Sequence, residues 1–310
     1  MSAHAAAGTA APGARPRPAP RRPARRKRGK DVAWYVACLL VTAVTVVPLV
    51  WTVGTSLTPS GEILSGGVRL WPEHLTLDNY VEAFGRVPFG RYFLNSLIIG
   101  VGGAAANLLL GSLAGYAFAR LDFRGRRPLF WLFISSMMVP SIVTMIPLFL
   151  VLRNMPLAGG NDILGDGGLG LINTFWAVIL PGASGPFAMF MMKQHFEDMP
   201  GDYAEAARLD GAGELRIFTM IYLPLARPAL AVLGVLTFQA GWNNFLWPLI
   251  VLNSRDMMTV QVGLAAFMHE YETDYGPLMA GTVIACIPVI VVFVLGQRWI
   301  VQGSTYTGVK

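Results

Sequence analysis

The chain has 310 residues, 54% hydrophobic and only 14% charged, with a mean hydropathy of +0.51. Soluble globular domains carry roughly 25% charged residues, so this sequence lacks the groups that keep a surface in water. Disorder, coiled coil and collagen are excluded, and the balance argues against an ordinary soluble enzyme.

In chain order, the first element is a basic tail. Nine of the 24 Lys and Arg residues lie in the first 30 positions, among Ala and Pro without apolar periodicity. Residues 1–30 therefore read as a disordered basic cytoplasmic tail and not as a nucleic-acid-binding element. The apolar stretch that follows is longer than the roughly 7–15 residues of a signal peptide's apolar core, so the tail reads as a retained anchor.

Six windows contain no Asp, Glu, Lys or Arg: 32–61, 92–119, 128–152, 167–192, 228–254 and 275–297. Each exceeds the roughly 20 apolar residues a membrane-spanning helix requires. The expected fold is an all-α, polytopic membrane bundle of six transmembrane helices. With the tail inside, the inner segments hold 19 Lys and Arg and the outer segments five. Flanking basic residues stay cytoplasmic, so both termini are expected in the cytoplasm.

In the first outer loop, Thr76 is placed to cap a surface helix whose Leu77, Tyr80, Val81 and Phe84 share one face. The second outer loop, 155–170, is rich in Gly and Asp. Its Asn161, Asp162 and Asp166 lack calcium-loop spacing, and it reads as a flexible solvated turn. The third, 255–274, carries Glu270, Tyr271, Glu272 and Asp274. Within the windows, Pro48, Pro140, Pro147, Pro181, Pro186, Pro248 and Pro288 can each kink a helix. Gly111 and Gly115 form a step that lets a second helix approach closely. Gly100, Gly102 and Gly103 lie in an uncharged apolar helix with no preceding strand, so they are no dinucleotide fingerprint. Cys38 and Cys286 read as small buried hydrophobes.

The windows carry no charge of the kind ion-coupled carriers place in the membrane. No GxxxxGK[ST] loop is present, so the chain is not expected to hydrolyse ATP. The four histidines, His4, His74, His195 and His269, lack metal-ligand spacing. No catalytic residue, cofactor or metal site is expected. The polar groups inside the windows are neutral: Asn95, Asn107, Thr144, Gln239, Asn243 and Asn244. Such amides can exchange hydrogen bonds with a hydroxyl-rich solute or join helix to helix. Trp242, Phe245 and Trp247 can stack on a sugar ring or form an interfacial belt. Asn107, Gln239, Trp242, Asn243 and Asn244 are the candidates for a translocation path.

The longest inner loop runs over 193–223. Pro200 and Gly201 break the preceding span, Asp202 is placed to cap a short helix with Glu205 returning the bond, and Asp210, Gly211 and Gly213 end it after about two turns. A second segment starts at Glu214 and leads to Ile221, Leu223 and Pro224. Two short helices at an angle would project from the cytoplasmic face.

Within this loop, Glu205-Ala206-Ala207 is followed after three residues by Gly211 and after nine more by Ile221, Leu223 and Pro224. That run is similar to the EAA motif of the permease subunits of binding-protein-dependent ABC importers, matching all seven fixed positions before the penultimate span. The likeness covers 72–310. The stretches 75–84, 92–98, 242–252 and 297–310 resemble the carbohydrate-uptake, maltose-permease-type branch. A longer second outer loop and the ending at Lys310 depart from it. The resemblance implies a type I ABC importer permease fold. It divides the chain into the tail, a first helix with its outer loop (31–91), a five-helix core (92–298) containing the coupling loop 199–224, and a cytoplasmic tail (299–310). It implies a non-enzymatic inner-membrane subunit that imports a sugar or oligosaccharide. Its partners would be a second homologous permease, two ATP-binding subunits and an extracytoplasmic solute-binding protein. Glu205, Ala206, Ala207, Gly211, Ile221, Leu223 and Pro224 would couple to the ATPase. The alternatives are the same machinery carrying glycerol phosphate or another polar solute, a gradient-driven carrier, and a membrane enzyme.

Overall fold

A computed structural model of the chain describes residues 28–63, 70–265, 267–268 and 273–305. The tail before Arg28, the acidic group at 269–272 and the C-terminal 306–310 lie outside the described residues. Every element is helical, and among the described residues the only β pairing is an isolated bridge between Met268 and Thr273.

The elements, in order, are α1 (Arg28–Ser56), α2 (Ser60–Ile63), α3 (Asp78–Arg86), α4 (Phe89–Arg120), α5 (Arg126–Ser136), α6 (Ser141–Arg153), α7 (Phe175–Gly182) and α8 (Pro186–Glu197). There follow α9 (Asp202–Leu209), α10 (Glu214–Ile217), a π-helical turn Phe218–Tyr222, α11 (Leu223–Leu225), α12 (Arg227–Trp242), α13 (Leu246–Val251), α14 (Val260–Ala265) and α15 (Tyr275–Thr305). Contacts divide the chain into Met1–Val47 and Pro48–Lys310. The described part of the first unit is a stretch of α1 whose apolar side chains from Val32 to Val47 are exposed. Cys38 is among them and Cys286 is half-buried, so neither is the fully buried hydrophobe expected.

The six apolar windows become three long helices and three windows divided between two helices each. α1, α4 and α15 are each long and apolar enough to cross a membrane. The third and fourth windows break, α5 meeting α6 at 105° and α7 meeting α8 at 42°, and the loop segment Glu214–Leu225 meets α12 at 79° at the start of the fifth. The chain therefore has six spans if each bent pair is one. Proline sets the breaks, since it removes a backbone donor and clashes with the preceding turn. Pro140 precedes α6, Pro186 opens α8 and Pro228 lies in the first turn of α12. The fifth window departs most from expectation: α12 ends at Trp242, and Asn243–Phe245 separate it from α13. Helix also continues past residue 298, where the cytoplasmic tail was expected to begin, through Thr305.

Within the second unit α4 is the central post, packed along α8 and α12, while α12 also packs on α15. The Gly111–Gly115 step makes the first crossing possible. A β-carbon at Gly111 would lie 2.7 Å from the Ala188 Cβ, and one at Gly115 would lie 2.7 Å from the Met192 Cβ and 2.9 Å from the Lys193 nitrogen. Only a hydrogen allows the backbones this close.

Two outer loops differ from expectation. Helix α3 turns its apolar face outward: Leu77, Val81 and Phe84 are exposed, Val81 by 72%, while Asn79 and Ala83 are buried. Asn79 donates to the Ser56 and Thr58 carbonyls and accepts from the Ser60 hydroxyl, and Arg86 pairs with Glu82 and Asp274. Polar groups tie α3 to the C-terminal end of α1 and the N-terminal end of α15; Tyr80 of the expected face shares a bond with Ser56, and Phe84 packs its ring edge on Phe89 while Val81 is left exposed. Thr76 accepts from the Asp78 amide, one position short of a cap. The second outer loop is a compact knot and not a loose turn. Buried Asn161 donates to the Arg153 and Met155 carbonyls and accepts from Gly168, while the Asp162 carboxylate accepts from the Leu164 and Asp166 amides. Those amides hold the Asp162 carboxyl below its ordinary pKa.

Candidate coupling site and translocation path

The loop between α8 and α12 is a hairpin on the end of the bundle. α9 begins one residue earlier than the capping-box expectation: Gly201 is its N-cap, and its carbonyl accepts from the Ala204 and Glu205 amides. Asp202 thus falls inside the first turn, where its side chain makes no cap bond. Asp202 and Glu205 still favour the helix by lying at its positive end. The helix stops as expected. Gly211 has φ +82°, its amide donates to the Arg208 carbonyl, and the Ala212 amide donates to that of Ala207. This pair of bonds is a Schellman ending, in which a left-handed residue closes the last turn.

The seven motif residues fall into two groups. Glu205, Ala206 and Gly211 are exposed, and Glu205 has no partner among the described residues. Ala207, Ile221 and Leu223 pack on a core formed by Tyr116, Met192, Phe196, Ala204, Ile217, Phe218 and Tyr222, with Pro224 half-buried nearby. The exposed group sits beside large apolar side chains that sequence reasoning did not single out: Tyr203, Leu209, Leu215 and Met220, with Leu209 exposed by 89%. Their signal was available, since an apolar residue two positions from Gly211, in a loop full of charge, has no core to enter.

Polar anchors fix the hairpin. Glu214 accepts from the Arg208 Nε at 2.8 Å and from the Tyr116 hydroxyl at 2.7 Å. The Glu214 carboxylate holds the Arg208 guanidinium above its ordinary pKa. One turn below Tyr116, the Arg120 guanidinium donates to the Phe196 carbonyl at 2.6 Å and to that of Met199, and lies 5.2 Å from the Tyr222 ring centre.

The candidate path residues do not converge. Trp242 is 1% exposed, donates its indole N–H to the Ala285 carbonyl at 3.0 Å and stacks on Phe238. In this structure it lies in the core between α12 and α15. Trp247 is likewise buried and bonded to the Ala177 carbonyl, so these two indoles form neither a sugar platform nor an interfacial belt. Asn107 ties α4 to the α7–α8 break through the Gly182 carbonyl at 2.5 Å, the helix-joining role. Asn95 holds the Asp256 and Met258 carbonyls. Gln239 borders a cleft of about 200 Å³ whose other walls are apolar side chains such as Val235, Val289 and Phe293. Asn243 is exposed and accepts from Gln261 at 3.5 Å, and Asn244 is half-buried. A larger cavity of about 680 Å³, between Ile98, Phe175, Trp176 and Met257, is also mostly apolar. Neither has the convergent polar groups of a solute site.

A family model described as binding-protein-dependent transport system inner membrane component matches residues 107–305, which contain the whole hairpin. The chain belongs to this family. It is a multi-pass inner-membrane permease component of an ABC transport system, a transport subunit and not an enzyme. The permease is similar to the arabinooligosaccharides transport system permease protein AraQ of Halalkalibacterium halodurans, at 36% identity over 92% of this chain and 99% of that protein. It is 34% identical to the diacetylchitobiose uptake system permease protein NgcG of Streptomyces coelicolor, over 88% of this chain and 87% of that one. Among solved structures, a bacterial ABC transporter involved in the import of the acidic polysaccharide alginate superposes with a TM-score of 0.75. It shares 24% identity over 89% of this chain and 98% of the other, a likeness of fold.

Proposed function

We propose that this permease moves a neutral oligosaccharide across the cytoplasmic membrane. In this reading it is one of two homologous permease subunits, driven by two ATP-binding subunits and supplied by an extracytoplasmic binding protein. The relatives named for arabinooligosaccharide and diacetylchitobiose transport, similar over nearly the whole chain, carry the substrate class. The uncharged spans agree with a neutral cargo.

In this reading α9 seats in a groove on one ATPase subunit. Ala206 keeps that contact close, Tyr203 and Leu209 supply its apolar area, and Glu205 pairs with a cation there. Gly211 returns the chain without strain, while Ala207, Ile221, Leu223 and Pro224 fasten the hairpin to the bundle. ATP-driven closure of the ATPases would move the hairpin as a body and switch the spans between inward- and outward-open states. Gln239, Asn243 and Asn244 remain the path candidates, completed by the second permease. Residues 31–91, 92–298 and 299–310 would act as accessory helix and outer loop, permease core and tail, with both termini cytoplasmic.

The test is uptake in a strain lacking the chromosomal copy. Labelled neutral oligosaccharides are expected to enter, whereas labelled amino acids and glycerol phosphate are not; preference for a charged solute overturns the substrate class. Glu205→Lys and Gly211→Pro are expected to abolish uptake while membrane insertion persists. Unchanged uptake in both removes the coupling role.

A further inference from the structure

We propose that Glu214 is a positioning residue that clamps the coupling helix α9 to α4 by holding Arg208 and Tyr116 at once, making α4 the receiver of the ATPase stroke. This rests on the reading that α9 meets the ATPase.

The hydrophobic hold on α9 is slight. Of its eight residues only Ala204 is buried, and Ala207 is partly so. Alanine methyl groups interlock weakly with their surroundings, so a lateral push on α9 would let it slide unless something stiffer joined it to the bundle. The carboxylate of Glu214 does so. It accepts two bonds from the Arg208 guanidinium, at 2.8 and 3.4 Å, and one from the Tyr116 hydroxyl at 2.7 Å. Bonds to an ionised group are shorter and stronger than neutral ones.

Three elements therefore meet at one side chain: Arg208 ends α9, Glu214 begins α10 and Tyr116 lies in the last turns of α4. The Tyr116 ring is itself fixed, 4% exposed between Phe196, Phe218 and Tyr222. Four residues on, Arg120 grips the carbonyls of Phe196 and Met199 at the entrance to the hairpin. Residues i and i+4 share a helix face, so one face of α4 holds the hairpin on both sides of α9. Neither Tyr116 nor Glu214 belongs to the seven motif positions.

The test uses the complete transporter in proteoliposomes, with this chain, its partner permease, its ATPase subunits and its binding protein. Glu214→Ala removes the junction, and Tyr116→Phe removes only the hydroxyl while keeping the ring. Losing one hydrogen bond to a charged group shifts the clamped-to-loose equilibrium by about ten- to a hundredfold. Both variants are therefore expected to retain the ATPase subunits through purification and to keep the KM for ATP. The stimulation of ATP hydrolysis by the binding protein is expected to collapse, and the amides of 204–212 to exchange hydrogen about tenfold faster or more. The charge-swapped double variant Arg208→Glu/Glu214→Arg is expected to recover stimulation that Glu214→Arg alone loses. If stimulation stays within twofold of the parent in both Glu214→Ala and Tyr116→Phe, the clamp is wrong. If Glu205→Lys also leaves ATPase binding and activity intact, the reading beneath it falls and the clamp with it; disruption by Glu205→Lys with normal Glu214 and Tyr116 variants rejects the clamp alone.

Discussion

A single backbone torsion at Gly211 sets how α9 ends. No atom lies within 4 Å of where its β-carbon would stand, so substitution there is opposed by the φ of +82° and not by crowding. Gly211→Ala is expected to destabilise the hairpin by about 1 kcal/mol, and Gly211→Val by more. Hydrogen exchange at Gly211 and Ala212, whose amides close the turn, measures it. Trp242→Phe removes a buried indole hydrogen bond to the Ala285 carbonyl, a loss of about 0.5–1.5 kcal/mol; its thermal midpoint is expected to fall while substrate preference stays unchanged. Asp162 gives a pH dependence. Its carboxyl is held down by the Asp166 and Leu164 amides, so its contribution is present above the carboxyl's unfolded pKa and fades as pH falls through the lower, folded one. Exchange at Leu164 and Asp166 is expected to accelerate in acid, and Asp162→Asn to remove that dependence.

At the scale of the element, the clearest reversal is α3. Period and residue type located the helix, but periodicity gives a face and not its direction. In water the apolar side turns inward; beside a bilayer the preference can invert, and here Asn79 and Arg86 face the protein while Val81 faces away and Phe84 is half-covered by Phe89. Val81→Trp is expected to be quenched by brominated lipid and to stay unaltered when the binding protein is added. The α9–α10 hairpin was legible almost to the residue, because Pro200, Gly201 and Gly211 act through local backbone rules. Its fastening was not, since the Tyr116–Glu214 bond joins positions 98 apart in sequence. Chain distance likewise hid the fate of Trp242 and Trp247: side-chain type says an indole N–H needs an acceptor, but not that a helix carbonyl supplies it. The α4–α8 crossing was readable as a glycine step, and Gly115→Leu is expected to force the helices apart at a cost of about 1–3 kcal/mol or more, seen as loss of folded protein in detergent.

For the whole molecule, counting uncharged windows found how many apolar segments exist, and the prolines within them marked two of the bends, at Pro140 and Pro186. Charge-free length measures what lipid tolerates, whereas the breaks near Pro140, Pro186 and Pro228 depend on which freed carbonyls find partners. Of the unbroken long helices, α4 lies at the centre of the packing, and its 32 residues reach about 48 Å. A hydrocarbon core is only about 30 Å thick, so an upright α4 would overhang it, which would bring the turn bearing Tyr116 and Arg120 near the headgroups. Lengthening the surrounding acyl chains would draw that grip toward oil, while thinning them would make the rod lean. Transport per ATP is therefore expected to peak at one membrane thickness and to decline on either side, a tuning that lipids of graded chain length would trace directly.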